Sequence, residues 1–254
     1  MPSLLWDPAF YVFAIPAVIL LGLAKGGFAG LGALGMPLMA LGVEPVAGAA
    51  ILLPILIAQD VVGVTAFRRT WDARVLRILL PGAVVGVALG WGLASQVSSD
   101  AILAALGAVS ILFGAQRLWV ERGGGVPEPS SSSAWVGSLF GVATGFTSQI
   151  AHAGGPPFQM WVMPRRLPRD VFIGTSAIFF ALLNWIKVPA YVALGQFTKE
   201  NALATAVLLP VAILSSVAGV RLVRHVPMQR FYVIIYALMI VTGVKLLLDG
   251  VGIS

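Results

Sequence analysis

The sequence is poor in charge and contains no cysteine. Of its 254 residues only 10% are charged and 59% are hydrophobic, and the mean hydropathy is +0.96. A soluble domain carries about 25% charged residues, so this composition excludes an ordinary soluble protein. The lack of cysteine excludes a disulfide framework, a thiolate metal site and a cysteine nucleophile. The composition predicts an all-α polytopic membrane protein embedded in the lipid bilayer.

Motifs for catalysis and nucleotide binding are also missing. The sequence has no Walker loop, so ATP does not drive this chain by itself. Its two histidines, His152 and His225, give no metal-ligand spacing, and Ser148 lies outside any Gly-x-Ser-x-Gly elbow. We therefore expect no enzymatic activity, no catalytic residues, no cofactor and no metal site. The net charge of +6 is carried by arginines in short loops, which indicates membrane topology rather than a nucleic-acid partner.

Apolar segments recur along the whole chain. Two of them, 9–43 and 134–163, exceed the ~20 residues that a helix needs to cross a bilayer. Both are interrupted near the middle by glycine, which weakens a helix, and by proline, which lacks an amide donor. We predict that each breaks inside the membrane, where protein or water must cover the broken backbone. The full set of segments is 9–43, 46–67, 75–96, 101–120, 134–163, 171–194, 201–222 and 228–248.

The two halves of the sequence match each other. The glycine and proline pattern of the first broken segment recurs in the second at an offset of 119 residues, and later matches follow at offsets of 126 and 129. The aligned residues are Gly22, Gly26, Gly35 and Pro37 with Gly141, Gly145, Gly154 and Pro156. A stretch rich in glycine, proline and serine, 121–133, separates the halves and is typical of a flexible linker. We predict two transmembrane repeats, 1–120 and 134–254, joined by a cytoplasmic linker.

The arginines predict a topology, because arginine-rich loops favour the cytoplasm. Eight simple crossings cannot place every arginine group on one side. If each broken segment is a re-entrant hairpin, every arginine group lies inside and both termini lie outside. Each repeat is then a hairpin plus three crossings. Because the number of crossings is odd, the second copy is inverted relative to the first, as in many secondary transporters. The arginines are Arg68, Arg69, Arg74, Arg77, Arg117, Arg122, Arg165, Arg166, Arg169, Arg221, Arg224 and Arg230.

The hairpin limbs are short in this interpretation. Residues 10–24 would span only ~22 Å at 1.5 Å per residue, less than the ~30 Å hydrocarbon core. Eight plain crossings with a weak charge bias remain the alternative topology.

Polar residues cluster at the two breaks. Half-helix N-termini attract anions through free amide groups and the helix dipole, and Lys25 adds positive charge at the first break. By the repeat alignment the two breaks face each other near the midplane, so they predict one anion site. The predicted substrate-binding residues are Lys25, Gly26, Gly27, Thr147, Ser148, Gln149, His152, Gly154 and Gly155.

Three further polar residues lie within the apolar segments and are candidates for coupling or gating. Asp60 and Lys187 occupy nearly equivalent places in the two repeats, one residue apart, and are predicted to form a buried ion pair. Asn184 lies close by on the same segment as Lys187. Asp60 or His152 could carry a coupled proton, and histidine suits that role near neutral pH. The alternative is that the pair is purely structural.

Motifs in both halves resemble those of the sulfite exporter TauE/SafE family. The first is Gly22-Leu-Ala-Lys-Gly-Gly-Phe-Ala-Gly-Leu-Gly with Met36-Pro37. The second is Gly141-Val-Ala-Thr-Gly-Phe, followed by Gly154-Gly-Pro-Pro and then Gly174-Thr-Ser. The resemblance implies a permease of the bacterial inner membrane, often an exporter, for sulfite, organosulfonates or related small anions.

One stretch departs from the simpler glycine-rich family pattern and leaves the substrate open. Ser148-Gln149-Ile-Ala-His152 stands where the second break begins, so carboxylates and sulfonated carboxylates are equally possible substrates. A proton or another ion could drive transport by alternating access, and a homodimer is possible. A passive anion channel of the same fold, or a membrane enzyme or accessory subunit, are the alternative functions.

Overall fold

The computed structural model describes residues 4–28, 30–94, 96–123, 132–223 and 229–253. Every regular element within these ranges is helical. The central part of the predicted linker, residues 124–131, lies outside the described residues. The α-helices are α1 (Pro8–Lys25), α2 (Gly35–Met39), α3 (Pro45–Phe67), α4 (Ala73–Leu93), α5 (Ser99–Glu121), α6 (Ala134–Ala151), α7 (Gly155–Val162), α8 (Arg169–Ala193), α9 (Lys199–Leu222) and α10 (Gln229–Gly250).

Side-chain caps define where several helices begin. Asp7 accepts a hydrogen bond from the amide of Ala9 (2.9 Å) and is followed by proline at the first helical position of α1. Glu44 caps α3 and Asp72 caps α4 in the same way, with amide–oxygen distances of 2.9 and 2.7 Å. Capping oxygens satisfy amides that a helix start leaves unpaired. These polar residues therefore mark the position where each helix begins.

Seven helices in the described part of the chain are long and apolar enough to cross a membrane. They are α1, α3, α4, α5, α8, α9 and residues Tyr232–Gly250 of α10. The prediction of an all-α polytopic membrane protein is confirmed.

The first long apolar segment folds into a helical hairpin. The chain leaves α1 at Lys25, turns through Gly27, whose φ of 124° suits glycine, and runs back along α1. Gly35 then packs against Leu21, and Gly42 packs against Phe13 near the start of α1. A 3₁₀ turn and the short helix α2 form this return limb. The hairpin therefore ends at the same end of the helix bundle where it began.

The second long apolar segment folds in the same way. Helix α6 ends at Ala151, and His152 caps it in the left-handed conformation with φ 48°. The return limb is α7, whose Trp161 ring packs against Gly137 in the first turn of α6. Arg165, just after α7, donates to the carbonyl of Ser132 before α6, at 3.2 Å. Both predicted hairpins thus return to their starting ends.

The hairpins are deeper than the sequence predicted. Helices α1 and α6 each contain 18 residues, which is roughly 27 Å of helix rather than the predicted ~22 Å. The turn after α1 lies against Ile173, near the start of α8. The turn after α6 lies against Tyr191, near the end of α8, with the His152 and Tyr191 rings stacked at 6.0 Å. The two breaks therefore lie toward opposite ends of α8 and do not face each other at one depth.

Two pairs of helices, each with one helix from either half of the sequence, pack antiparallel. In α3 and α8, Gly63 lies beside Ala177 while Asp60 bonds to Asn184. Helices α5 and α10 cross in the same manner, with Gly107 against Gly243.

Each hairpin packs through glycines on a helix from the other half. Gly82 and Gly86 of α4 contact the backbone of α6, and Gly22 and Gly26 of α1 contact α9. Small residues allow such close approach between membrane helices. The two halves are therefore interlocked rather than side by side.

Candidate functional site

A cavity of about 90 Å³ lies between the two hairpin turns and is here called the central cavity. It brings together five of the predicted site residues, which come from α1, α6, the second turn, α7 and α8. They are Lys25, Ser148, His152, Gly155 and Asn184. Although the two turns lie at different depths, the long side chains of Lys25 and His152 both reach the central cavity.

One buried polar group in the central region joins the first hairpin to α3 and α8. Lys25 Nζ lies 2.5 Å from Asp60 Oδ1. Asn184 Nδ2 donates to the other carboxylate oxygen at 2.6 Å, and the Lys25 ammonium also lies 5.3 Å from the centre of the Phe180 ring. The expected ion pair between Asp60 and Lys187 is therefore wrong, because α1 continues to Lys25 and delivers that ammonium to Asp60.

Lys187 makes a second buried group with the turn after α6. Its side chain is fully buried. Nζ donates to the carbonyl oxygen of Ser148 at 3.2 Å and to its hydroxyl at 3.1 Å, and it lies 2.7 Å from Nδ1 of His152. A protonated lysine has three hydrogens and no acceptor. These three partners can accept the three hydrogens of a protonated Lys187, whereas with a neutral Lys187 the Ser148 hydroxyl would donate to the nitrogen lone pair.

The second nitrogen of His152 determines its tautomer. Nε2 lies 2.8 Å from the carbonyl oxygen of Ala49 on α3. A carbonyl only accepts, so Nε2 carries a hydrogen and Nδ1 is free to accept from Lys187. In this arrangement His152 is neutral.

The buried charges do not cancel when Lys187 is protonated. Lys25 and Asp60 neutralise each other, and His152 is neutral, which then leaves the charge of Lys187. Among the described residues, no carboxylate lies within ion-pair distance of Lys187. A buried cation without a counter-ion is costly. The site is therefore suited to an anion.

Backbone amides contribute less than the sequence predicted. The amides of Gly26 and Gly27 donate to carbonyls of α1, at 3.0 and 3.1 Å, so they are not available to a ligand in this conformation. At the start of α7, Pro156 and Pro157 have no amide hydrogen. Only Gly154 and Gly155 can offer amides there, and Gly154 packs tightly against Thr144.

Two other predicted residues lie away from the central cavity. The hydroxyl of Thr147 bonds back to the carbonyl of Ala143 at 2.8 Å. The Gln149 side chain lines a separate cavity of about 240 Å³ near Tyr191 and Gln196. Neither residue contacts the central cavity.

Three residues that the sequence reasoning did not select also line the central cavity. They are Gln159 on α7 and Ser176 and Phe180 on α8. Gln159 follows Gly155 by one helical turn, and Ser176 ends the Gly174-Thr-Ser motif. Both could therefore have been selected as site residues from the sequence. Phe180 had none, since one phenylalanine in an apolar run is ordinary.

The comparisons with known proteins agree with this architecture. The family model described as Sulfite exporter TauE/SafE matches residues 14–246, which include most of the first hairpin, the whole of the second and the residues that line the central cavity. No curated protein and no solved structure shows a significant match. Because the match covers most of the chain, this protein belongs to the sulfite exporter TauE/SafE family.

Proposed function

We propose that this protein is a secondary transporter of small anions such as sulfite, organosulfonates or related sulfonated and carboxylated acids. Its family suggests that the direction of transport is export. The observation that carries the proposal is the fully buried Lys187, which has no carboxylate partner in the part of the chain that the structure describes. Lys187 does not itself line the central cavity, but it bonds to Ser148 and His152, which do. A substrate anion in the cavity would supply the missing countercharge. Ser148, His152 and Lys25 surround the same space and would bind the rest of the anion.

We further propose that the two halves are inverted repeats that alternate access to this site. The antiparallel packing of α3 on α8 and of α5 on α10 supports an inverted relation. In this arrangement the chain sits in the inner membrane, its arginine loops face the cytoplasm and both termini face outward. The Lys25–Asp60–Asn184 group links the first hairpin to α3 and α8 and would serve as the gating element.

Counterflow separates a carrier from the rival passive channel. Proteoliposomes that hold only the purified chain are preloaded with unlabelled anion and then given labelled sulfite or ethanesulfonate. We expect transient accumulation of label above equilibrium, because a carrier exchanges substrate through one site. A channel would equilibrate the label without overshoot. Absence of any flux would favour the accessory-subunit alternative.

Proton coupling would act through His152 and Lys187 rather than Asp60. Two donors, Lys25 and Asn184, already bind the Asp60 carboxylate, so it is not free to take up the coupled proton. His152 has an acceptor nitrogen that takes up a proton if Lys187 turns toward a bound anion. The charged and titratable groups near this pair are Lys25 on α1, Asp60 on α3 and Tyr191 on α8. A second positive charge there is tolerated only beside an anion, so proton and anion would bind together and move in the same direction. Net export or uptake would then follow the sum of the proton and anion gradients.

Two variants are expected to differ in the pH dependence of transport. We expect an acidic exterior to stimulate anion uptake in the wild type and in Asp60→Asn. In His152→Gln the stimulation should disappear, because an amide can replace the hydrogen bonds of His152 but takes up no proton. Initial uptake rates with and without an imposed pH gradient measure this difference. Equal stimulation in wild type and His152→Gln would remove His152 from coupling, and its loss in Asp60→Asn would return the role to Asp60.

A further inference from the structure

A second cavity, of about 250 Å³, lies on the arginine-rich side of the bundle. It is formed by the last turns of α5, by α7 and by the residues that follow α7, and it is here called the arginine cavity. Its lining includes Arg117, Arg166, Phe113, Met160, Met163 and Gln159. None of the roles proposed above uses the two arginines.

Arg117 is held in place by its neighbours. Nε donates to the hydroxyl of Tyr236 at 3.3 Å, and the guanidinium lies 5.5 Å from the centre of that ring. Glu121 accepts from Nη2 at 3.1 Å, and Nη1 lies 3.6 Å from the sulfur of Met163. A guanidinium fixed in this way keeps its charge at the wall of the cavity while losing little freedom on binding.

Arg166 supplies a second positive charge to the cavity, and this one is not neutralised by a carboxylate. It is exposed to solvent and adopts the left-handed conformation with φ 50° at the end of the 3₁₀ turn after α7. Among the described residues, no carboxylate lies within ion-pair distance of Arg166. With Arg117 already paired to Glu121, Arg166 gives the cavity a net positive charge.

Most of the remaining wall is apolar, apart from Gln116 and Gln159, and it indicates a ligand class. Phe113, Met160 and Met163 provide aromatic and thioether surface beside the two guanidinium groups. Methionine adapts to ligands of different shape. The combination suits an anion that carries a short apolar chain better than a bare inorganic oxyanion.

Gln159 connects this cavity to the central one. Its side chain is 4% exposed, and it lines both cavities from α7. We propose that the arginine cavity is a recruitment site for small organic anions, alkanesulfonates above all, which then pass Gln159 to reach the central cavity. The proposal rests on the transport function inferred above and deepens it by naming the substrate class and the route.

The test compares Arg166→Gln with Arg77→Gln in the full chain in proteoliposomes. Arg77 is an exposed arginine of the predicted cytoplasmic face that does not line the cavity. For labelled propane-1-sulfonate we expect KM to rise about fivefold in Arg166→Gln, with kcat unchanged and a weaker dependence on salt. Arg77→Gln should match the wild type. Equal KM values in the two variants would overturn the recruitment site.

A chain-length series tests the ligand class. Competition by methane-, ethane- and propanesulfonate should strengthen by about fourfold for each added methylene, as burial of a methylene predicts, and sulfite should compete most weakly. Met160→Gln should flatten the series. Sulfite competing as well as propanesulfonate would refute the organic-anion assignment. If wild-type flux is saturable and depends on Lys187 but not on Arg166, only this inference fails; if the wild type carries no flux, the transport function itself fails.

Discussion

Lys187→Met is expected to reduce anion transport by roughly 10- to 100-fold, since a hydrogen bond to a charged group contributes about 1.5–3 kcal/mol. The substitution removes the buried charge that the substrate would neutralise. The native fold should be retained with lower stability, because methionine fills the volume of the lysine but leaves the Ser148 carbonyl and His152 Nδ1 without their donor. Initial rates in proteoliposomes, with melting temperature in detergent as the companion measurement, check both halves of this expectation.

Lys245→Met is the matched control. Lys245 is an exposed lysine on α10 that forms an ion pair with Asp249 one turn later, far along the chain from the cavity lining. It should transport as the wild type does. A Lys187→Met protein that melts lower and transports in proportion to its folded fraction would assign Lys187 a structural role. Lys25→Ala is a poorer test, since it leaves the buried Asp60 without its ion pair.

Gly86→Leu should prevent formation of the native helix packing. A Cβ at Gly86 would overlap the carbonyl oxygen of Val142 on α6, and it would lie 2.7 Å from the amide nitrogen of Phe146. Both are backbone atoms, which cannot move without separating α4 from α6. Overpacking alone costs about 1–3 kcal/mol, and backbone overlap adds to that. We expect little monodisperse protein after extraction, and a melting temperature lowered by about 5–10 °C in the milder variant Gly86→Ala.

Gly92→Leu tests the same substitution on the same helix. A Cβ at Gly92 meets nothing within 4 Å, so leucine should be accommodated there. Size-exclusion chromatography of both variants in one detergent gives the comparison. If Gly92→Leu is as damaging as Gly86→Leu, then loss of glycine from α4, rather than contact with α6, determines the outcome.

The sequence predicted the helical segments well because apolar length and interrupting glycines are local signals. Both hairpins were located by their glycines and prolines. The depth of the first hairpin was underestimated, since Asp7 and Pro8 start α1 two residues earlier than the apolar pattern suggested. The relative depth of the two turns was also missed. An alignment of repeats gives register along the chain but not position along a partner helix.

The site was predictable in composition but not in its pairings. Intramembrane ionisable residues are few, so Lys25, Asp60, His152 and Lys187 could be selected from the sequence. Which ammonium reaches Asp60 depends on the path of a flexible side chain from the end of α1, and no sequence signal encodes that path. Similarly, Gln149 and Ser148 are neighbours in sequence, yet only Ser148 faces the central cavity.

The interlocking of the hairpins has a consequence for how the protein is made. Helix α6 packs on α4, and Ser138 bonds to a residue 60 positions earlier, so its partner is already in the membrane when α6 emerges from the ribosome. Helix α1 packs on α9, where the Ser215 hydroxyl donates to the carbonyl of Val18. Ser215 is translated 197 positions after Val18. At about 5–20 residues per second, that delay is roughly 10–40 s. Two hairpins that are equivalent in the finished fold therefore differ during insertion, and the first stays without its glycine-packed partner until most of the chain has been translated.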